Sequence, residues 1–153
     1  MNRLHVEASG TTRARPDAVW ALLADASSYS RWGPWDASSY DAADAHPAGG
    51  PGAVRRLRYG RTVTVERLVD VKPGRRMSYT VIGGLPVRNY LAEVRLTPVA
   101  EGTRVDWAAD FDRTVLGRLV HRKLRSLYPE IVSRLITAAD ADDSVVPSTG
   151  DHV

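Results

Sequence analysis

Apolar and polar residues fall into three successive rhythms along the chain. Residues 4–14 alternate, with Leu4, Val6 and Ala8 set against His5, Glu7 and Ser9, which predicts a first strand. Pro16 then suits the first turn of a helix, where its missing N–H costs nothing, and Asp17 puts a carboxylate at the positive helix end. Val19, Trp20, Leu22 and Leu23 supply the apolar face of that helix, which is expected to run to about Ala26. Ser27 to Trp32 predicts a second short helix, stopped by Gly33-Pro34. Residues 36–51 read as a weak strand followed by a loop rich in Ala, Asp, Gly and Pro.

From residue 52 the rhythm has period two. Strands are expected at 52–59, 61–71, 75–82, 87–98 and 102–111. Gly60-Arg61, Pro73-Gly74, Gly83 to Pro86 and Glu101-Gly102 separate them, and such short turns make consecutive strands antiparallel neighbours. The last rhythm is helical: Leu116, Leu119, Val120, Leu124, Leu127, Ile131 and Leu135 recur at spacings of three and four. Pro129 interrupts it and predicts a kink near Leu124–Tyr128, or two abutting helices. From Ala141 to Val153 the chain is polar and acidic, with Pro147 and Gly150, and reads as a disordered tail behind a domain of residues 1–140. A strongly curved sheet of this length cannot be filled by its own side chains. The long helix is expected to cover its concave face and to leave a cavity between them.

Composition narrows the chemistry. The 153 residues suffice for one domain, and 43% hydrophobic with 25% charged residues is ordinary for a globular chain. No apolar run nears the ~18 residues that cross a membrane, and Met1 to Glu7 has no signal core, so a cytoplasmic location without a membrane span is expected. Cysteine is absent, which removes disulfides and thiolate chemistry. The formal charge is +3, but the basic residues are spread over strands and helices, which argues against nucleic-acid binding. The four histidines lie in unrelated elements, so no metal is expected, and no cofactor motif or nucleophile elbow is present.

The order strand, two short helices, antiparallel strands and one long helix resembles the helix-grip superfamily, an α+β fold shared by START-like lipid-binding domains, abscisic acid receptors and polyketide cyclase/dehydrase-like proteins (the SRPBCC group). Pro16 to Asp25 with Tyr29 and Trp32, then Gly52-Ala53-Val54-Arg55, Glu66-Arg67-Leu68, Gly83-Gly84 with Arg88-Asn89-Tyr90, and Gly102 to Val105 carry the resemblance to the cyclase/dehydrase-like branch. It implies about seven strands wrapped around a kinked C-terminal helix. The receptors' gate, latch and carboxylate-anchoring lysine find no counterpart, which argues against hormone sensing.

The resemblance also implies that Arg55, Glu66 and Tyr90 face the cavity. Alternation then adds Leu57 and Tyr59, Thr64 and Leu68, Met77, Tyr79 and Val81, Ala92 and Val94, and Val105, Trp107, Ala109 and Phe111. Val63, Val65 and Val69 would point outward. Candidate ligand-binding residues are Trp32, Trp35, Arg55, Leu57, Tyr59, Thr64, Glu66, Tyr79, Val81, Tyr90, Ala92, Trp107 and Phe111, with Leu124 and Tyr128 from the last helix. Arg55 and Glu66 are expected to pair with Tyr90 hydrogen-bonded beside them, either as a polar spot that orients a ligand or as a structural ion pair. In a wet cavity, Glu66→Ala would cost only about 1 kcal/mol. The expected partner is a small hydrophobic or aromatic molecule. Alternatives are a polyketide cyclase/dehydratase-type enzyme, with Arg55, Tyr59 and Tyr90 as catalytic candidates, and a closed-core interaction module. Oligomeric state is not legible.

Overall fold

The computed structural model describes residues 3–41 and 49–145. The elements are β1 (Arg3–Thr12), α1 (Pro16–Ala24), a 3-10 turn (Ala26–Ser28), α2 (Tyr29–Trp32), β2 (Ala37–Tyr40), β3 (Val54–Tyr59), β4 (Thr62–Lys72), β5 (Arg76–Gly83), β6 (Leu91–Val99), β7 (Gly102–Asp112) and α3 (Val115–Val145). The seven strands form one sheet in the order β1-β7-β6-β5-β4-β3-β2, with every pairing antiparallel. This is the helix-grip α+β arrangement, and the short connections from β3 onward are the physical reason that β3 to β7 form a simple meander, which β2 extends across a longer connection.

The β4–β5 register shifts twice, between Val65 and Glu66 and between Leu68 and Asp70, and the second shift changes which β4 residues face inward. Glu66 and Leu68 are buried, while Val63 and Val69 are exposed, as alternation places them. Beyond the second shift Val71 pairs with Met77 and packs against the core. The opposite face of β6 and β7 carries Arg95 paired with Glu93 at 2.7 Å and Arg104 with Asp106 at 3.1 Å. β6 starts at Leu91 rather than 87. Asn89 has φ +54, a left-handed turn conformation that Asn tolerates better than most residues, and its Nδ2 donates to Asp112 at 2.8 Å.

α3 covers the inner sheet face with Leu124, Tyr128, Ile131, Val132, Leu135 and Ala139, all buried. It runs continuously through Pro129, which corrects the alternative of two abutting helices. It also continues past the expected domain boundary at 140, to Val145. Asp140 is the reason: its carboxylate accepts the Thr12 hydroxyl and the Arg13 N–H, the latter at 3.0 Å, tying the helix to the end of β1. The rest of the expected acidic tail, 146–153, lies outside the described residues. Gly10 lets β1 come close beneath α3, since a Cβ there would stand 2.4 Å from Ile136 Cδ1. No helix among the described residues is long and apolar enough to cross a membrane.

Candidate functional site

Register puts Arg55 of β3 directly opposite Glu66 of β4, and both side chains point inward. Arg55 is fully buried. Its Nε donates to Glu66 Oε1 at 2.7 Å and one terminal nitrogen donates to the Tyr29 hydroxyl at 2.8 Å. Tyr29 in turn donates to the Leu23 carbonyl at 2.8 Å, which fixes the direction of its hydroxyl proton. The guanidinium carbon lies 4.5 Å from the Tyr79 ring centre and 4.9 Å from that of Tyr29, so the cation sits between two aromatic faces. Burial pushes the Glu66 carboxyl above its usual range, and the charge and hydrogen bond of Arg55 oppose that rise. Burial likewise raises the Tyr29 phenol, and Arg55 again pulls the other way. The arrangement satisfies a dry buried cation, because charge, hydrogen bonds and π faces are all supplied.

Beside this cluster, between the sheet and α3, lies a cavity of about 50 Å³. Glu66, Tyr79, Tyr90, Trp107 and Tyr128 give it polar atoms. Trp107 Nε1 donates to the Tyr79 hydroxyl at 2.9 Å, and the hydroxyls of Tyr90 and Tyr128 are hydrogen-bonded to each other. Glu66 gives Oε1 to Arg55, while Oε2 makes no hydrogen bond to any described residue and is left for the cavity. Burial holds all three tyrosines above the ordinary phenol range, so they are neutral hydroxyls at physiological pH. The Tyr90 ring stacks on Phe111 at 5.4 Å and Tyr128 meets Trp107 edge-on at 6.3 Å, which fixes the hydroxyls in place. The volume holds a few waters and is far below the ~300–1,000 Å³ of a drug-sized site. Gly84 helps close it. With φ +87, and Val63 O only 1.8 Å from where a Cβ would stand, it lays the β5–β6 connection flat on β4 and leaves Leu85 in the cavity wall.

Of the residues expected to meet a ligand, Trp35, Leu57, Thr64, Glu66, Tyr79, Tyr90, Trp107, Leu124 and Tyr128 line this cavity. The others do not. Arg55 is sealed behind Glu66, and Trp32, Ala92 and Phe111 are buried in the surrounding core. Val81, paired with Glu66 across the strands, also stays off the cavity wall. Tyr59 ends β3 and is 37% exposed, and it borders a separate outer groove of about 320 Å³ with Lys123, Ser126, Leu127 and Glu130. The hydrogen bond expected between Tyr90 and the ion pair is made by Tyr29 instead. Arg55 itself has no exposed surface, so it is drier than the wet cavity behind the small cost expected for losing Glu66. Sequence reasoning missed Tyr29, Leu85, Leu127 and Ile131. Leu127 and Ile131 were visible as members of the same helical stripe as Leu124, and only their facing was missing.

Comparison with known proteins agrees with this fold. The family described as "Polyketide cyclase / dehydrase and lipid transport" matches residues 3–139, and the chain belongs to it. Among curated proteins none matches the sequence. Solved structures share the fold. A Nitrosospira multiformis protein is 17% identical with a TM-score of 0.74, covering 92% of this chain and 99% of its own. A Mesorhizobium loti protein is 17% identical with a TM-score of 0.72, covering 90% and 98%. The XoxI protein of Bacillus cereus is 20% identical with a TM-score of 0.69, covering 90% and 95%.

Proposed function

We propose that this member of the polyketide cyclase / dehydrase and lipid transport family binds a small hydrophobic or aromatic molecule between the sheet and α3. The observation that carries the reading is the polar fringe of the internal cavity. A purely structural core has no need of a carboxylate oxygen and three tyrosine hydroxyls gathered around one unfilled space. Glu66 Oε2 accepts from a ligand donor, Tyr79 and whichever of Tyr90 and Tyr128 accepts in their mutual bond donate to ligand oxygens, and Leu57, Leu124 and Ile131 contact its apolar body. Arg55 positions Glu66 rather than touching the ligand.

The test is mass spectrometry of small molecules released when the purified protein is denatured. One predominant apolar or aromatic compound is expected, at near-stoichiometric amount. An empty protein that also fails to bind any member of an aromatic compound panel would leave the closed-core reading instead. A second reading, cyclase/dehydratase-type catalysis, is favoured by the paired hydroxyls of Tyr90 and Tyr128 facing the same space as Glu66. In it these three groups move protons and Arg55 does not polarise a carbonyl, since it is fully buried and does not line the cavity. Turnover of a poly-β-ketone mimic that is lost in Tyr128→Phe distinguishes it from carriage.

A further inference from the structure

The internal cavity and the outer groove are separate spaces with one wall in common. Leu127 borders both. It is half-buried, on the solvent side of the α3 stripe that Leu124, Tyr128 and Ile131 turn fully inward. Neither the inner space of about 50 Å³ nor the groove of about 320 Å³ is by itself an enclosed ligand site. Joined, they form one site with an enclosed, polar-fringed inner end and an open outer end. A rotamer change in this one shared leucine would move the wall between them, and its solvent side leaves room for that change.

The groove also has a chemical bias. Lys123 lies over the Tyr59 ring with its ammonium 4.9 Å from the ring centre, and it has no acidic partner among the described residues. The carboxylate in the groove, Glu130, is seven residues further along α3, about two turns away, and faces Arg134 at 3.9 Å. The Lys123 end therefore suits an anion and the inner end suits an apolar ring with hydroxyl or carbonyl substituents.

We infer that Leu127 is the gate of the ligand site, and that the ligand is an aromatic acid whose ring passes Leu127 into the core while its anionic group stays outside on Lys123. This rests on the pocket reading proposed above and specifies its entrance and substrate class.

Two fluorescent probes test it: 8-anilinonaphthalene-1-sulfonate, and N-phenyl-1-naphthylamine, which has the same rings and no charge. The wild-type chain should bind both. Leu127→Trp should weaken both at least tenfold, and Leu127→Ala should bind them as tightly or more so. Lys123→Gln should weaken the sulfonate about tenfold and leave the neutral probe within twofold. Unchanged affinities in both Leu127 variants would overturn the gate while leaving the pocket reading intact. Equal loss of both probes in Lys123→Gln would overturn the anchor. Failure of the wild type to bind either probe would count against the pocket reading itself. Should Leu127→Trp not fold, the Leu127 methyl resonances of the wild type decide the same point. They should shift on titration while those of Leu96 stay fixed, and immobile Leu127 signals would overturn the gate.

Discussion

The two sides of the internal cavity are built to different standards. On one side Arg55, Glu66 and Tyr29 form a closed set of charge and hydrogen bonds, and the far half of α3 presses Leu135 and Ala139 into the core with no exposed surface. On the other side the first turns of α3 leave Val115, Leu116 and Leu119 more than half exposed, and Leu127 and Tyr59 are covered only in part. One helix thus serves two purposes, anchoring beyond Pro129 and bordering an opening before it. The difference teaches that rigidity here is concentrated where a charge must be kept dry. The opposite wall is free of that demand.

Four substitutions probe that contrast, in decreasing order of expected effect. Glu66→Ala leaves a buried, unpaired guanidinium and should cost about 3–5 kcal/mol in denaturant unfolding. A loss near 1 kcal/mol would show that water reaches Arg55 and that the sealed side is not sealed. Leu135→Ala removes a fully buried leucine and should cost about 2–5 kcal/mol, whereas Leu119→Ala should stay within about 0.5 kcal/mol. Equal costs for the two leucines would erase the division of α3. Pro129→Ala restores a backbone N–H inside the helix, at the expense of a more flexible unfolded chain. A net gain of about 1–2 kcal/mol is expected, and no gain would mean that the helix has already adapted to the ring.

The smallest effect lies where β1 meets the near half of α3. His5 hydrogen-bonds Asp110 at 2.8 Å, and its carbonyl is bonded to His121 Nε2 at 2.8 Å. The hydrogen bond to Asp110 raises the His5 pKa above its usual 6.5, against a smaller lowering by burial. A raised histidine stabilises the fold fully below about pH 6.5 and loses that contribution as the pH climbs through its folded value. The stability difference between wild type and His5→Ala should therefore be larger at pH 5.5 than at pH 8.5. A difference that does not vary with pH would show the Asp110 contact to be indifferent to charge.

Much of the sheet could be read from its residues. Alternation along β3, β5, β6 and β7 identified the inner faces, and Pro73-Gly74 and Glu101-Gly102 marked turns that the strands respect. The pairing of Arg55 with Glu66 was legible because both lie on inward positions of neighbouring strands. Tyr29 was not legible as their third member: it arrives from a different element, 26 residues away from Arg55. The degree to which side chains fill the cavity depends on rotamers of Leu85, Leu127 and Tyr128, on which periodicity is silent. Tyr59 obeys the alternation but sits at the end of its strand, where an inward position no longer means an inner surface. The end of α3 was misjudged for a related reason. The boundary was drawn at Asp140 by composition, yet Asp140 has a local role as an acceptor for Thr12 and Arg13, and the helix runs on to Val145.

The pairing of β1 with β7 has a consequence for the order in which the molecule assembles. From β2 to β7 every strand pairs with its neighbour in sequence, so each pair closes a loop of at most 13 residues. β1 pairs with β7 alone, joining Arg3 to Asp112 across 109 residues. During synthesis it leaves the ribosome before β7 and has no strand to pair with until β7 has followed. Until then its apolar row, Leu4, Val6 and Ala8, lacks the surface it is shaped for, as does the edge of β7 once that strand has joined β6. Contacts of such wide separation close late and slow the whole reaction. A strand made well before its partner is thus the last to settle, and the interval before it does is when this protein is most exposed to the wrong partner.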